Sequence, residues 1–489
     1  MIPVRGFEGK RVAVFGLGRS GLTAARALKA GGAEPLLWDD QAKSLTQAAK
    51  EGFTLENLKV SDWSEIDALM LSPGVPLTHP EPHWTVQKAK AAGVPVIGDI
   101  ELFASSLNRL SEADRPRTVA ITGTNGKSTT TALISWILQQ AGRDVRMGGN
   151  IGIGVLDLAD FRRGAVYVIE TSSYQLDLTH SFAPDVAVLL NFSPDHLDRH
   201  GGMDGYVAAK RRIFAAQRPE QTAVIGADDS WCQAITTDQI TLHGDGRGPA
   251  VVPVSARRVM GRGIYALQGV IYDSTSERTR EVANLAAAQS LRGRHNWQNA
   301  VAATAACRAL GLSDDAIRDG LLSFPGLAHR MQEVGRIGKV RFVNDSKATN
   351  ADAARQAMLA YDRFFWIAGG RAKAGGIEEL SDLFERVEGA FLIGEAAELF
   401  AATLGSRVPV TQSRTLLAAT AQAFAAAEAF AAKTVQDAVV LLSPACASFD
   451  QFPDFEARGE AFAQAVRDIA ASEAQKQKAA VQSDTVLSS

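Results

Sequence analysis

Cysteine is scarce in this chain, and its spacing excludes two structural roles. The 489 residues include three cysteines, Cys232, Cys307 and Cys446, and no two of them form a CxxC pair. A disulfide framework and a cysteine-based zinc site are therefore excluded. We expect free thiols in a protein of the reducing cytoplasm.

An excess of one charge sign and long apolar runs are also lacking. The chain has 51 Lys and Arg against 54 Asp and Glu, a formal net charge of −3. This balance argues against nucleic-acid binding, which relies on an excess of basic residues. The N-terminus has no apolar segment, and the alanine-rich run 416–432 contains Gln422 and Glu428. We expect neither a secretory signal nor membrane insertion.

The composition instead indicates a multidomain globular protein. Apolar residues make up 46% of the chain and charged residues 21%, as in ordinary globular enzymes, and the length suggests about three domains. Strand-like and helical segments alternate, which predicts an α/β fold. We place the domains at 1–105, 106–326 and 327–474. Residues 475–489 are polar and aperiodic, and we expect them to be disordered.

A phosphate-binding loop is the strongest motif. An apolar strand at 118–122 is followed by the segment 123–129 and then by a helical pattern. Strand, glycine-rich loop and helix form the arrangement that cradles phosphates with main-chain N–H groups. The loop is shorter than the usual P-loop, since Ile121 occupies the position of its first glycine. The predicted nucleotide-binding residues are Gly123, Thr124, Asn125, Gly126, Lys127, which would reach the outer phosphates, Ser128, which would reach a metal ion, and Thr129.

The first domain carries a second glycine motif. The segment 16–21 (GLGRSG) lies between a strand and a helix, and Asp39 follows the next strand. This pattern favours diphosphate binding at a helix N-terminus and by itself leaves NAD binding open. Asp39 could bind a ribose hydroxyl. The loop 72–74 follows a third strand, where ligands bind in such sheets, although a plain turn explains it equally well.

Polar side chains follow two further strands of the second domain. Glu170 ends the strand at 165–169, the usual place for a magnesium ligand beside a P-loop. His196 lies in a cluster of Asp and His after the strand at 186–190, which favours a ligand role. Lys210 lies on a predicted helix, and the pattern alone indicates a solvated surface lysine.

The third domain repeats the α/β pattern without a phosphate-binding motif. Its predicted strands, 340–343, 364–367, 389–393 and 438–442, each end in a polar loop. The sequence of this domain contains no second P-loop and no second GxGxxG. We therefore predict a partner domain that closes over the nucleotide. The segment 255–290 receives no assigned role.

Together these motifs resemble the Mur ligases, the ATP-dependent amide-forming enzymes of peptidoglycan precursor synthesis. Several independent motifs occur in the right order through nearly the whole chain except the tail. The matching segments are 123–129, 170–176, 191–199, 293–299, 329–330 and 344–350. The first and last domains are most similar to the D-glutamate-adding branch of the family, through the segments 16–21, 71–74, 98–103 and 443–452. Phe449, where Leu is common, and Gln41, where a basic residue is common, depart from the pattern.

The resemblance implies both the architecture and the activity. It implies a Rossmann-like UDP-binding domain, a central P-loop ATPase domain and a C-terminal Rossmann-like domain that binds the amino acid. It further implies ATP and two Mg²⁺ (or Mn²⁺) ions as cofactors, and UDP-N-acetylmuramoyl-L-alanine and D-glutamate as substrates. A cytoplasmic monomer would form the amide through an acyl phosphate.

Residue roles are carried over from the same resemblance. Lys127, Glu170, His196 and Lys210 are implied to be catalytic, with Ser128 and Glu170 on one metal ion and His196 and a carbamylated Lys210 on the second. The carbamate would supply a carboxylate-like oxygen, whereas a bare ammonium would repel magnesium. The implied ATP contacts outside the P-loop are Asn299, Arg330 and Asp345. The implied substrate contacts are Arg19, Ser20, Asp39, Ser72, Pro73, Gly74, Asn150, His196, Lys347, Thr349, Lys373, Ser448 and Phe455.

Three alternatives remain open. A sister ligase would add another amino acid, although the Asp-Asn-Pro-Arg segment associated with diamino-acid addition is absent from this sequence. A folylpolyglutamate synthase would share the P-loop but lack the domain that carries residues 16–21. A nucleotide-regulated binding protein without turnover would have no need of the complete set of four implied catalytic residues.

Overall fold

The computed structural model describes residues 1–372 and 376–487 of the chain. It divides into two compact units, Met1–Phe324 and Pro325–Ser489. The first unit contains two separate sheets and the second unit contains a third sheet. The predicted domain bounds at 105, 326 and 474 stay predictions.

The first sheet is parallel and has the strand order β2-β1-β3-β4. Its strands are short and apolar, and the residues of β3 are buried on both faces, as expected when helices cover a parallel sheet. The strands are β1 (Arg11–Phe15), β2 (Glu34–Trp38), β3 (Ala68–Leu71) and β4 (Val96–Ile97). The helices are α1 (Arg19–Ala30), α2 (Ala42–Lys50), α3 (Trp84–Ala91) and α4 (Asp99–Asn108).

The second sheet holds the predicted phosphate-binding loop at its centre. Its order is β13-β12-β11-β10-β9-β8-β5-β7-β6, and β5 lies between β8 and β7. The parallel strands are β5 (Arg117–Thr122), β6 (Val145–Gly149), β7 (Val166–Glu170), β8 (Val186–Leu189), β9 (Thr222–Gly226), β10 (Ala250–Ser255) and β11 (Ile264–Leu267). Since the strand order reverses direction at β5, the loops after β5, β7 and β8 meet at one edge, where ligands bind in α/β sheets.

Helices bury the apolar faces of this second sheet. α5 packs on β5 and against α10, whose alanines Ala300, Ala302 and Ala303 are fully buried and allow a close approach. The helices of this part are α5 (Lys127–Gln140), α6 (Ser173–Asp177), α7 (Leu197–His200), α8 (Met203–Arg211), α9 (Ser230–Gly244), α10 (Arg294–Ala309) and α11 (Asp314–Ser323).

The segment 255–290, which the sequence left without a role, extends the second sheet. β11 pairs antiparallel with β12 (Val270–Asp273), and β12 with β13 (Arg280–Asn284). At the end of β12 the carboxylate of Asp273 is fully buried and pairs with Arg308 of α10 and with Arg280. It also accepts hydrogen bonds from the main-chain N–H of Thr275 (2.7 Å) and from its hydroxyl (2.6 Å). This ion pair therefore fastens the extension to the helical layer.

The third sheet is parallel except at one edge. Its order is β14-β15-β19-β16-β17-β18. Among the described strands of this third sheet, only β14 and β15 pair in the antiparallel direction. The strands are β14 (Gln332–Ile337), β15 (Val340–Asn344), β16 (Phe364–Gly369), β17 (Val387–Ile393), β18 (Val410–Arg414) and β19 (Ala438–Leu442). The helices are α12 (Ala351–Leu359), α13 (Ala397–Leu404), α14 (Leu416–Thr434) and α15 (Phe455–Leu487).

Four observations bear on the sequence expectations. The helix α15 continues to Leu487 and so covers most of the segment 475–489, for which we expected disorder. The helix α4 reaches Asn108 and so enters the start of the predicted second domain. The three cysteines lie within the described residues and are free and buried. None of the described helices has the length and apolarity needed to cross a bilayer.

The Asp273 ion pair leads to a stability prediction. We expect Asp273→Ala to lower the free energy of unfolding of the first unit by about 2 kcal/mol, because Arg308 and Arg280 lose the fully buried carboxylate between them and keep only Asp314 as a partner. Urea unfolding followed by circular dichroism measures this change. As the matched control, Asp245→Ala removes the exposed partner of Arg247 and should change the free energy by less than about 1 kcal/mol. Equal losses in both variants would contradict the assignment.

Candidate functional site

The P-loop is shaped by glycines at two positions where no other residue fits. Gly126 has φ +85° and precedes α5, and a Cβ there would lie 2.2 Å from Oδ1 of Asn299. Gly123 has φ +147°, and a Cβ there would meet Leu190. The loop therefore packs closely onto α10 and onto the end of β8. At its end, the N-terminus of α5 offers main-chain N–H groups and a positive helix dipole to an anion.

Lys127 is held across this loop. Its Nζ donates hydrogen bonds to the main-chain oxygens of Gly123 (2.9 Å) and Thr124 (2.7 Å). Thr124 and Asn125 in turn receive support from the loop after β8, through the main-chain oxygen and the side chain of Asn191. The ammonium group thus lies at the loop where the outer phosphates of a nucleotide bind.

Glu170 lies beside the P-loop because of the strand register. It is the β7 residue paired with Ile121 of β5, and it is 1% exposed. Its Oε1 accepts a hydrogen bond of 2.6 Å from the Nδ2 atom of Asn150, while its buried Oε2 has no hydrogen-bond partner. A buried carboxylate oxygen without a partner is unfavourable, and a divalent cation would satisfy it.

The donor set at this point fits magnesium rather than a metal held entirely by protein. Within residues 1–372 and 376–487, no group of three or more His, Cys, Asp and Glu side chains is placed to hold a metal ion. Magnesium commonly takes one or two protein ligands and fills its other positions with water and phosphate oxygens. Glu170 and the buried Ser128 are compatible with that pattern.

Lys210 is buried, contrary to the surface position that its sequence pattern suggested. It is 2% exposed, its Nζ donates to Oγ1 of Thr122 at 3.4 Å, and it lies 4.7 Å from the ring centre of Tyr206. Burial, and next the charge of Lys127, lower the pKa of Lys210 well below its usual value, against the opposing charges of Asp195 and Glu170. The default surface interpretation failed because the helical pattern does not reveal which face of α8 is covered.

His196 begins the short helix α7 in a left-handed backbone conformation, with φ +53°. Its Nε2 lies 3.4 Å from Oδ2 of Asp195, and its ring lies 5.0 Å from the ring of Tyr174. His196 is therefore held at the tip of the loop after β8. This is the edge of the sheet to which the P-loop and Glu170 also belong.

Asn299 supports the P-loop from α10. Its Oδ1 accepts a hydrogen bond of 3.2 Å from the hydroxyl of Thr130, and its Nδ2 donates to Asn296. The sequence analysis missed several supporting residues in this region. They are Thr122 beneath Lys210, Asn191 and its partner Gln298, and Tyr206, whose hydroxyl contacts Thr124. Their polarity at strand and helix ends was the available signal.

In the first sheet, Asp39 holds the glycine loop together. Its Oδ2 accepts from the N–H of Leu17 at 2.6 Å and its Oδ1 from the N–H of Gln41 at 2.8 Å. The hydroxyl of Ser72 donates to the main-chain oxygen of Gly16, and Pro73 and Gly74 continue that loop. Arg19, which is exposed, donates to the main-chain oxygen of Gly152 at 2.9 Å, and Ser20 is half-buried. Asp39 therefore has a structural use beyond the ribose contact that the sequence suggested.

In the second unit, Asp345 occupies the end of β15. It is 4% exposed, and its carboxylate accepts from the Ser443 hydroxyl (2.9 Å) and the Met331 N–H (3.3 Å). Burial raises the pKa of Asp345 to about 7, although Ser443, the charge of Arg330 and Met331 act in the opposite direction. Asp345 is thus placed to ionise near neutral pH.

The segments after β15 and β19 meet the start of α15. Nζ of Lys347 lies 3.9 Å from the ring centre of Phe455. The fully buried Arg458, which the sequence analysis missed, donates to Ser346 and to the main-chain oxygen of Cys446. Thr349 donates its N–H to Lys347, and Ser448 is buried. Lys373 lies outside the described residues.

Comparisons with known proteins agree with this arrangement. Residues 121–307 match the Mur ligase middle domain, and residues 10–98 match the MurD-like N-terminal domain of Mur ligases. A UDP-N-acetylmuramoylalanine–D-glutamate ligase of Caulobacter vibrioides is 63% identical over 96% of this chain and 98% of its own length. One of the same name from Phenylobacterium zucineum is 61% identical over the same shares.

A solved structure supports the fold. The UDP-N-acetylmuramate-alanine ligase MurC of Thermotoga maritima aligns with a TM-score of 0.55 over 94% of this chain and 99% of its own, at 15% sequence identity. At that identity the likeness concerns the fold alone. The near full-length relatives and the two family matches decide the membership: the chain belongs to the Mur ligase family.

Proposed function

We propose that this protein is an ATP-dependent ligase that joins D-glutamate to UDP-N-acetylmuramoyl-L-alanine in peptidoglycan precursor synthesis. The observation that carries the proposal is the 63% identity, over 96% of the chain, to a ligase named for this reaction. The phosphate-binding loop beside a buried, incompletely bonded Glu170 supports the ATP-dependent step.

The reaction is proposed to begin with transfer of the γ-phosphoryl group. The alanine carboxylate attacks the γ-phosphorus of ATP, the bond to the β–γ bridging oxygen breaks, and ADP leaves. The ammonium of D-glutamate first loses one proton, and the neutral amine then attacks the acyl carbon of the resulting acyl phosphate to give a tetrahedral intermediate. The nitrogen loses a second proton and the bond from carbon to the phosphate oxygen breaks, so phosphate leaves and the amide keeps one N–H. Phosphorylation matters because a carboxylate lacks a good leaving group.

The P-loop residues carry the ATP-binding part of the proposal. Main-chain groups of 123–129 would hold the phosphates, and Lys127 would neutralise charge as the phosphoryl group transfers. Ser128 and Glu170 would hold one Mg²⁺ ion, with Oε2 of Glu170 as the carboxylate ligand. When bound, magnesium would offset the negative charge of the phosphate oxygens.

A second metal ion is proposed on His196 and a carbamylated Lys210. Burial of Lys210 and its lowered pKa favour the neutral amine, which is the form that adds to carbon dioxide. The neutral amine nitrogen of Lys210 forms a bond to the carbon of CO₂ and releases a proton. The product at the end of the side chain is a carbamate anion. Thr122 and Tyr206 would then lie beside the modified side chain.

The remaining substrate contacts are proposed sheet by sheet. The glycine loop of the first sheet is proposed for the UDP part, with Arg19, Ser20, Asp39 and the loop 72–74. Asn150 and His196 are proposed for the muramoyl-alanine part; Asn150 would do so while its Nδ2 supports Glu170. Asn299 and, in the second unit, Arg330 and Asp345 are proposed for the adenosine part of ATP.

The second unit is proposed to bind D-glutamate. Lys347, with its ammonium over Phe455, and Lys373 would meet the carboxylates, since charge-assisted hydrogen bonds are strong. Thr349 and the buried Ser448 would add hydroxyl donors. We further propose that the protein acts in the cytoplasm as a monomer without nucleic acid, in keeping with its free, buried cysteines and near-neutral charge balance.

The substrate assignment is tested by a phosphate-release assay. We expect phosphate release from ATP only when UDP-N-acetylmuramoyl-L-alanine and D-glutamate are both present, with one amide product formed per phosphate. Parallel reactions with L-glutamate, L-lysine and meso-diaminopimelate serve as controls. Turnover with one of these and none with D-glutamate would assign the chain to a sister ligase, and phosphate release without amide would indicate no ligation.

The carbamate is tested by Lys210→Ala. We expect this variant to lose activity by at least about a hundredfold, because removal of a metal ligand weakens charge stabilisation in phosphoryl transfer. Added formate or acetate should restore part of the rate by supplying the missing carboxylate. Lys433→Ala, an exposed lysine of the second unit, is the control. A Lys210→Ala variant with wild-type rates would rule out the proposed role.

The raised pKa of Asp345 predicts a pH effect on stability. Its pKa is 3.8 as an unperturbed carboxyl and about 7 in the folded unit. As the pH rises, Asp345 therefore loses its proton at a lower pH in the unfolded chain than in the folded unit. The Asp345 contribution to the free energy of unfolding therefore falls as pH rises from about 4 to about 7 and is constant above that. We expect wild type to lose stability relative to Asp345→Asn over this range, measured by calorimetry.

Asp362→Asn is the control for that measurement, since Asp362 is a fully exposed carboxyl of the same unit. Its stability difference from wild type should not follow the same curve. A stability difference between wild type and Asp345→Asn that does not vary between pH 4 and pH 7 would contradict the assigned pKa.

A further inference from the structure

We propose that His200 is a positioning residue that sets the places of both proposed ligands of the second metal ion, His196 and Lys210. The inference depends on the proposed function for the identity of these ligands. It is carried by two ring contacts of His200, one through Tyr174 to His196 and one through Tyr206 to Lys210, and by polar contacts that fix the His200 ring.

His200 is held at both ring nitrogens. Its side chain is 2% exposed; Nε2 is hydrogen-bonded to Oγ of Ser173 at 2.9 Å, and Nδ1 lies 3.2 Å from Oδ2 of Asp177. The contact with Asp177 is a close approach of the ring to a carboxylate. Ser173 and Asp177 are the first and last residues of α6. Both ends of α6 therefore hold one imidazole in a single orientation.

Ser173, His200 and Asp177 are arranged like the nucleophile, base and acid of a catalytic triad, but they do not form a hydrolytic site. Ser173 is 2% exposed, so a substrate carbonyl cannot approach its hydroxyl. The side chain of Asp177 is 25% exposed, so solvent reaches the aspartate and not the serine. The geometry points to orientation of the ring rather than to nucleophilic attack.

One face of the His200 ring leads to His196. The ring of Tyr174 stacks on His200 at 5.3 Å with an interplanar angle of 12°, and the same tyrosine ring lies 5.0 Å from the ring of His196. The guanidinium of Arg199 lies 4.8 Å from the centre of the Tyr174 ring. Tyr174 thus contacts the side chains of His196, Arg199 and His200. Its position, and with it the position of His196, depends on the orientation of His200.

Another side of the ring leads to Lys210. Tyr206 lies 5.5 Å from His200, and Nζ of Lys210 lies 4.7 Å from the centre of the Tyr206 ring. The Tyr206 hydroxyl is 3.1 Å from Oγ1 of Thr124 in the P-loop. Main-chain packing adds to this link, because a Cβ at Gly205 would lie 1.9 Å from the main-chain oxygen of His200. The start of α8 is therefore pressed onto His200.

The two proposed ligands come from different elements, His196 from the tip of a loop and Lys210 from the last turn of α8. A metal ion needs both at fixed separation, and supporting residues behind metal ligands commonly change metal affinity or activity 10- to 100-fold. His200 is the residue that contacts the aromatic neighbours of both ligands. Loss of the hydrogen bond to Ser173 and of the contact with Asp177 should therefore loosen both ligands at once.

The test uses the full chain and measures metal and carbamate directly. His200→Phe keeps an aromatic ring and removes the hydrogen bond to Ser173 and the contact with Asp177. Asp177→Ala removes only the contact at Nδ1, at a partly exposed position, and is the milder variant in case the first does not fold. The control is His243→Phe, which replaces an exposed histidine of α9 that bonds the main-chain oxygen of Gly248.

Two readouts are needed besides activity. Mn²⁺ binding is followed by electron paramagnetic resonance in the presence of a non-hydrolysable ATP analogue, and the Lys210 carbamate by ¹³C NMR with labelled bicarbonate. For His200→Phe we expect the weaker of two Mn²⁺ sites to lose about 10- to 100-fold in affinity and the carbamate signal to fall, while the melting temperature stays near that of the control. Asp177→Ala should show the same changes to a smaller extent.

The outcomes separate the inference from the proposed function. If folded His200→Phe and Asp177→Ala keep wild-type Mn²⁺ affinity and carbamate signal while the wild type turns over D-glutamate, the positioning role is wrong and the function stands. If the wild type itself gives no D-glutamate-dependent product, the proposed function has failed. A loss confined to melting temperature, with metal affinity unchanged, would show that His200 serves only the fold.

Discussion

The pairing of β5 with β7 is the constraint from which the arrangement of the first unit's site follows. Parallel pairing aligns Ile121 with Glu170, and the chain turns into the P-loop only two residues after Ile121. A one-residue shift in this register would turn Glu170 to the other face of the sheet, because strand side chains alternate. The buried carboxylate and the loop glycines therefore depend on one another for their position.

Charge sets a second requirement at this place. Lys127 and Lys210 are close enough for the charge of the first to lower the pKa of the second. Since Lys210 is 2% exposed and lies near Lys127, desolvation and repulsion together disfavour its cationic form. A carbamate at this position would change the sign of the charge. That change relieves the repulsion and gives the site two carboxylate-like groups.

The sequence predicted the parts of the fold that depend on local patterns. The strand 438–442 has the predicted bounds, and the strands predicted at 118–122 and 186–190 differ from β5 and β8 by one residue each, because short apolar runs bounded by turn residues leave little choice. The edge strands β14 and β18 were missed, since half-exposed strands such as Val410–Arg414 carry few apolar residues. The helix at 475–487 was missed because its polar composition lacks a periodic apolar face.

The candidate site divides in the same way. The P-loop and Glu170 could be found from the sequence because a strand end and a glycine loop are local features. Local patterns did not single out Lys210 or Arg458, because their significance lies in burial, and burial depends on what other segments cover them. Lys210 was named only through the family resemblance. For Asp39 the sequence predicted an acidic residue after the second strand. It did not predict the two hydrogen bonds that Asp39 accepts from Leu17 and Gln41.

The three buried thiols have a consequence for how this molecule can be observed. Burial raises the pKa of Cys446 to about 12 and raises the pKa values of Cys232 and Cys307 as well, so thiol reagents meet almost no thiolate in the closed state. Cys232 and Cys307 lie in the first unit and Cys446 in the second. Each thiol thus becomes reactive only when its own surroundings open. The chain carries native reporters of local opening in both units, and no label has to be introduced.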